Sequence, residues 1–444
     1  MYGPAPGGRA IAFTWAAVVV AVLGATALWL RHLDFSALHS PGELLTAAGQ
    51  ISGLLGVLVV LAQLLLMART PWLDRTYGMD RLAAWHRWGG FSSVWLLVGH
   101  AVFVTSGYAL GDGTNVWAEL GSLIRHYPDV LAAVVGLVLF LGVAVTSMRL
   151  ARRKIAYESW YFVHLYAYLA IALSFAHQLA VGADLAHDRL ARWFWVALYV
   201  VVGLLLLTQR LGRPLFAAFR HRVKVQRVVR EGPGVVSLYL TGRNLDRLSA
   251  QAGQFVLLRF LTPQGWWRAH PFSLSAVPDG QHLRLTIKDL GDYTNMLQSA
   301  QPGIRVIVEG PYGAFTPALR TAPKVLLVAG GIGITPLRAM YESLDGGPGD
   351  VVLLYRVRHE RDLVFKAELE QVSRRRGFGL LYSIGRREDG PDPFHPDMLR
   401  KLVPDLADRD VFVCGPAAMT TAVCSAVRAA GTPSNRIHRE RFSY

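Results

Sequence analysis

Six long apolar runs fill the first 210 positions of this chain, and no other feature restricts its folding as much. They are Ile11–Leu30, Ile51–Ala68, Gly89–Leu110, Val130–Met148, Trp160–Ala183 and Trp193–Thr208. Each is about as long as a helix that crosses a hydrocarbon core of roughly 30 Å. Lipid offers the backbone no hydrogen-bond partner, so such runs are expected as helices. The first run is too long for a signal peptide and only Arg9 precedes it, so it is expected to be retained. With 52% hydrophobic residues overall, the apolar character is concentrated in this half, and the remainder reads as an ordinary soluble sequence.

The basic residues orient the runs. Arg69, Arg75, Arg81 and Arg87 follow the second, Arg149, Arg152, Arg153 and Lys154 the fourth, and Arg210, Arg213, Arg220, Arg222 and Lys224 the sixth. The opposite loops hold only Arg31, Arg125, Arg189 and Arg192. The positive-inside rule then puts the N-terminus and the whole C-terminal half in the cytosol, as in a multi-pass protein of the plasma (inner) membrane. The net charge of +15 reads as topology and attraction to anionic lipid, since no nucleic-acid motif accompanies it. Cys414 and Cys424, the two cysteines, support neither a disulfide framework nor a zinc site.

Of fourteen histidines, four fall in or at the edge of apolar runs: His86 and His100 on the third, His164 and His177 on the fifth. Ionisable groups at that depth are rare and usually functional. The 14-residue step from His86 to His100 is about 21 Å of rise and about 40° of rotation, and the step in the fifth run rises about 20 Å. Two parallel helices can therefore offer stacked pairs, His86 with His164 and His100 with His177, each able to clamp a haem iron axially. The 13-residue step leaves His177 about 140° around from His164 on an ideal helix. Interhelical hydrogen bonds or a proton relay are the other uses of such a set.

From Val223 onward, alternating segments at Val235–Leu240, Phe255–Phe260, Leu283–Ile287 and Val306–Val308 predict a small antiparallel β-barrel. Within it, His270, Pro271, Phe272 and Ser273 precede a stretch holding Lys288, Gly291 and Thr294. An aromatic, a hydroxyl, a cation and backbone N–H groups in this order suit a flavin ring and a pyrophosphate. After Gly310 in Glu309-Gly310-Pro311-Tyr312-Gly313, strands alternate with helices. Lys324–Ala329 leads into Gly330, Gly331, Gly333, Thr335 and Pro336, Val351–Tyr355 leads to Arg356, and Val411–Val413 to Cys414, Gly415 and Pro416. Glycines at strand C-terminal ends admit a dinucleotide phosphate to a helix N-terminus.

These motifs resemble the ferredoxin-NADP reductase superfamily over roughly Phe219–Tyr444, and with the histidine pairs the whole chain is similar to the ferric reductase and NADPH oxidase family. The resemblance implies a multidomain membrane protein: a cytosolic tail (1–10), a six-helix transmembrane haem bundle (11–215), an FAD-binding β-barrel (216–318) and an α/β NAD(P)-binding domain (319–444). It also implies electron passage from a nicotinamide through FAD and two haems b to oxygen or ferric iron outside. By motif, Phe272 and Ser273 would meet the isoalloxazine, His270 and Lys288 the phosphates, and Thr294 the pyrophosphate. Gly330 to Thr335 would hold the NAD(P) phosphates, and Cys414 would lie near the nicotinamide. Tyr444, or Phe442, would stack on the flavin and move aside for hydride transfer. Ser273, Cys414 and Tyr444 are thus the expected catalytic residues.

The chain departs from the animal-type oxidases at Val104, where a second histidine near the outer haem is usual, which argues against dedicated superoxide production. Arg356, Arg358, Arg386 and Arg387 can pair with a 2′-phosphate, favouring NADPH over NADH. The expected partners are a lipid bilayer and a small-molecule acceptor, without nucleic acid or an obligatory protein partner. Two other readings stand beside this one: an ion or proton transporter with a redox-sensing flavin tail, and a reductase whose soluble acceptor is served at the flavin.

Overall fold

The computed structural model describes residues 8–36, 38–152, 154–155, 157–182, 188–263, 265–385 and 393–441. The chain divides into two compact units, one of residues 8–70 and 81–209, the other of residues 71–80 with everything from Arg210 on.

The first unit is helical: α1 (Gly8–His32), α2 (Pro41–Leu66), α4 (from Met79 to Gly111), α5 (Val116–His126), α6 (Val130–Ser147), the short α7 (Arg149–Arg152), α8 (Tyr157–Val181) and α9 (Arg189–Leu207). Among the described residues, six helices are long and apolar enough to cross a membrane, and they coincide with the six expected runs. The sixth is longer than its apolar run, because helix continues from Arg189 to His221 through a π turn at Thr208–Gly212 and into α10 (Arg213–His221). Local signals start these helices. Ser40 and Glu43 form a reciprocal capping box on α2, with Pro41 in its first turn, and Asn115 caps α5.

Apolar burial cannot hold helices together in lipid, so close approach of backbones must do so. Gly49, Gly53 and Gly56 of α2 lie against α4 so tightly that a Cβ would meet Val104 Cγ2 at 2.6 Å, His100 Nδ1 at 2.6 Å and Leu97 Cδ2 at 2.9 Å. Gly136 of α6 lies equally close to α8, 2.7 Å from Ser174 Oγ by the same measure.

The second unit begins with α3 (Pro71–Tyr77), which lies in sequence between the second and third spans yet packs on strand β6. Its Asp74 carboxylate is 1% exposed and accepts the Gly313 backbone N–H at 2.6 Å. Two three-stranded antiparallel sheets follow, ordered β1-β2-β5 and β4-β3-β6, with β1 (Lys224–Gly232), β2 (Val235–Thr241), β3 (Phe255–Phe260), β4 (His270–Ser273), β5 (His282–Lys288) and β6 (Val306–Tyr312). The expected closed barrel is not formed. The two sheets share one apolar core, and among the described residues the ladder between them is reduced to the isolated bridges Lys224–Arg305 and Leu274–Leu285. Pro271, which has no N–H to give a ladder, sits in the four-residue β4, and that strand is too short to carry the sheet around.

A five-stranded parallel sheet completes the chain, ordered β11-β10-β7-β8-β9, from β7 (Lys324–Gly330), β8 (Val351–Val357), β9 (Gly379–Ile384), β10 (Arg409–Gly415) and β11 (Ile437–Arg441). The two-residue period of β7 sends Val325, Leu327 and Ala329 into one core layer and Leu326 and Val328 into the other. Strand order reverses between β7 and β10, and that switch point is where open α/β sheets hold ligands.

A charged cluster joins the antiparallel sheets to the α/β part. Arg284 of β5 makes a two-pronged pair with Glu368 (2.8 and 3.1 Å), and Arg338 reaches the same carboxylate at 2.8 Å. Burial by itself would raise the Glu368 carboxyl, but the two guanidiniums outweigh it and hold the group below its ordinary value. A carboxyl depressed on folding contributes stability above its unfolded pKa, lost as pH falls through the folded one. We therefore expect Glu368→Gln to lower unfolding stability by about 2 kcal/mol at pH 7, less than for a fully buried pair because the side chain is 35% exposed. Thermal melts followed by flavin release should show the wild-type advantage shrinking as pH drops below the ordinary carboxylate range.

Candidate functional site

The four intramembrane histidines stand on α4 and α8 as the spacing predicts. The His86 and His164 rings approach to 6.0 Å between centroids, at 66°. A metal held between two imidazoles by bonds of about 2 Å puts the ring centres roughly 6 Å apart, so this pair fits axial ligation. Behind it, His164 Nδ1 lies 3.4 Å from Ser147 Oγ, which also accepts the Trp160 indole N–H at 3.2 Å. The Trp160 ring lies 5.0 Å from that of His164, tilted by 32°, and under the Arg152 guanidinium.

His100 Nδ1 is 2.8 Å from the Gly49 carbonyl. A ring donating from Nδ1 to a carbonyl keeps its lone pair on Nε2, the tautomer suited to a metal ligand, and such a second partner fixes the ring's direction. His177 Nδ1 is buried and has no hydrogen-bond partner among the described residues. Both rings line one cavity of about 290 Å³, near the lower end for ligand pockets, together with Val104, Thr105, Tyr108 and Tyr199. Helix α8 runs unbroken from Tyr157 to Val181, so no break absorbs the rotation expected between His164 and His177. Among the described residues no group of three or more His, Cys, Asp or Glu gathers as for a bare ion. Two imidazoles on either side of a porphyrin do not require one, because the porphyrin supplies the remaining donors.

In the second unit, Pro271, Phe272, Ser273, Lys288 and Thr294 come together with Thr335 around a cavity of about 30 Å³. A space that small admits about a water molecule or two, so it marks where these residues meet. The flavin-type and nucleotide-type motifs, some 60 residues apart, therefore converge. Ile332, within the glycine motif, also lines this cavity, as does Thr286, which carried no sequence signal of its own beyond alternation. Thr294 shapes the turn around Gly291: its hydroxyl accepts the Leu290 N–H at 2.8 Å and donates to the Gly291 carbonyl at 2.9 Å. His270 is not among the lining residues and stacks instead on Tyr293 at 3.9 Å. Gly310 lies in β6 and is not among the residues lining this cavity.

At the switch point the glycines permit contacts that a side chain would block. A Cβ on Gly333 would sit 2.3 Å from the Cys414 carbonyl oxygen, and one on Gly415 would sit 3.1 Å from Gly330. Gly331 has φ +52°, a left-handed value that glycine adopts freely. α11 (Asp292–Gln298) precedes β6, and α12 (Ile334–Ser343), which opens with Thr335 and Pro336, begins directly after Gly333. Cys414 has its side chain in the core, fully buried, and burial pushes its thiol up. Arg356, at the end of β8, donates to Ser383 Oγ at 2.8 Å. Arg358 is exposed, while Arg386, Arg387, Phe442 and Tyr444 lie outside the described residues.

Known families divide the chain along the same lines. Residues 52–175 match the ferric reductase like transmembrane component, 221–316 an FAD-binding domain and 327–425 an oxidoreductase NAD-binding domain. The chain is 34% identical to the ferredoxin reductase component of 3-ketosteroid-9-alpha-monooxygenase from Mycolicibacterium smegmatis, over 50% of this chain and 65% of that protein. It is 29% identical to the glycine betaine monooxygenase reductase subunit of Chromohalobacter salexigens (50% and 64%) and to ferredoxin--NADP reductase B of Sorangium cellulosum (43% and 85%). The chain thus spans just under two thirds of the length of the first two relatives. Its combination of a ferric reductase like transmembrane component with FAD-binding and oxidoreductase NAD-binding domains matches the architecture of ferric reductases and NADPH oxidases, and six of its described helices are long and apolar enough to cross a membrane.

Because the contact at Gly333 is with backbone, Gly333→Ala should cost at least tenfold in the rate of flavin reduction by NADPH, about 1.4 kcal/mol or more, while FAD content stays near wild type. Stopped-flow bleaching of the flavin band measures it.

Proposed function

We propose that this protein takes electrons from cytosolic NADPH, with NADH as the alternative, and delivers them across the membrane to oxygen or ferric iron on the outer side. When bound, the nicotinamide would supply hydride, FAD would convert it to single electrons, and two haems b would relay those electrons. The observation that carries the reading is the facing His86–His164 pair, on the same two helices as the His100–His177 cavity.

The chain's own residues would do the following. His86 and His164 would hold the inner haem, with Ser147 and Trp160 behind His164, and His100 and His177 the outer one. The Gly49 carbonyl would keep the His100 Nε2 lone pair directed at the iron. Phe272 and Ser273 would form the flavin floor with Thr286. Lys288 and Thr294 would meet its phosphates. Gly330, Gly331 and Gly333 would let the nicotinamide phosphates reach the start of α12. Cys414 would shape the nicotinamide end through its backbone, not its thiol. One donor of Arg356 is engaged by Ser383 and its planar fork has more, which supports pairing with a 2′-phosphate. Phe442 or Tyr444 would cover the flavin. The basic loops support cytosolic termini and an inner, or plasma, membrane.

Val104 lines the outer cavity one turn from His100, so an apolar group stands where a second imidazole would favour oxygen chemistry. The acceptor is decided by whether reconstituted protein reduces external cytochrome c in a superoxide-dismutase-sensitive way. The central test is spectroscopic. Purified protein should show a b-type reduced-minus-oxidised spectrum with two haems per chain. His100→Leu should abolish reduction of an impermeant external acceptor, leaving flavin reduction by NADPH within about twofold of wild type. Intact flavin without a Soret band would end the reading.

A further inference from the structure

The helix of the sixth span continues well past its apolar run. The helical run Arg189–His221 has 33 residues. At 1.5 Å each that is about 50 Å, against a hydrocarbon core of roughly 30 Å. The π turn Thr208–Gly212 separates the apolar part from α10, a change of helix type at which helices commonly bend.

α10 has three distinct sides. At 100° per residue, Leu215, Phe216 and Phe219 fall within an arc of about 100°, and they are 53%, 61% and 74% exposed. Pro214 and His221 fall together on the opposite side and are buried, with His221 Nδ1 3.0 Å from the Arg243 carbonyl. That side is therefore tied to the second unit. Arg213 and Arg220 stand next to each other at the margin of the apolar stripe, and the Arg220 guanidinium lies 5.5 Å over the Phe216 ring. Arg222 ends the helix in a left-handed conformation, φ 44°, and is exposed.

Three large apolar side chains turned to water on one nine-residue helix are not explained by the protein's own core. Their covalent position decides what covers them, because α10 begins one π turn beyond a membrane span. An apolar stripe edged by arginines at that depth suits the boundary between acyl chains and anionic headgroups. We propose that α10 is an interfacial helix that inserts Leu215, Phe216 and Phe219 into the cytosolic leaflet and binds anionic phospholipid headgroups through Arg220 and Arg222. It would thereby anchor the start of the flavin-binding unit to lipid charge.

Deuterium uptake by the peptide covering residues 213–222 tests this, using the full chain in nanodiscs of phosphatidylcholine alone or with about one third phosphatidylglycerol. Uptake should be slower in the anionic discs, by roughly fivefold for each arginine engaged, the factor corresponding to about 1 kcal/mol per basic residue. Raising salt should erase the difference. Arg220→Gln with Arg222→Gln should also erase it, at unchanged flavin content. Phe216→Ser with Phe219→Ser should speed uptake in both discs. Equal uptake in the two lipids would overturn the proposal, as would protection that followed protein concentration instead of lipid charge, which would assign the stripe to a second copy of the chain.

Discussion

The helical unit turns on one contact, the hydrogen bond between His100 and the carbonyl of Gly49, made possible because α2 presents glycine to α4. In lipid a polar ring has no water to satisfy it, so its partner must come from the protein. Glycine at 49 and 53 removes the side chains that would separate the two helices, and the imidazole lies where a Cβ on Gly53 would be. Close packing and ring orientation are therefore one arrangement. The same logic recurs between α6 and α8, where Gly136 admits Ser174.

In the second unit a different solvent leads to a different solution. Water satisfies exposed polar groups, so burial of apolar side chains holds the α/β sheet, with β7 and β10 covered on both faces. At the ends of those two strands backbones converge, and glycine is required there for the same steric reason as between the helices of the first unit. The Arg284, Glu368 and Arg338 cluster adds an electrostatic tie between the antiparallel sheets and the α/β part. The two parts it ties together also meet at one small cavity, lined by Phe272 and Ser273 from the antiparallel sheets and by Ile332 and Thr335 from the α/β part.

Chain connectivity bears on how these parts could cooperate. The short helix α3 emerges from the end of the second span but is counted with the second unit, where Asp74 closes on Gly313 just beyond β6. A carboxylate 1% exposed and bonded to backbone N–H is costly to withdraw, so this loop is a fixed part of that unit and no free linker.

The sequence by itself determined the six spans, the pairing of His86 with His164, and the switch-point glycines. Each rests on a periodic or compositional signal that local physics enforces: apolar length for lipid, 3.6 residues per turn for the histidines, and missing side chains at strand ends. Only the tertiary structure decided the rest. It left the two small sheets unclosed, turned His270 onto Tyr293, buried the Cys414 thiol, carried the helix of the sixth span past its apolar run, and brought Gly49 and Thr286 into the candidate sites. Those outcomes depend on which residues meet across long sequence separations, and a glycine or threonine carries no mark of its distant partner until packing selects it.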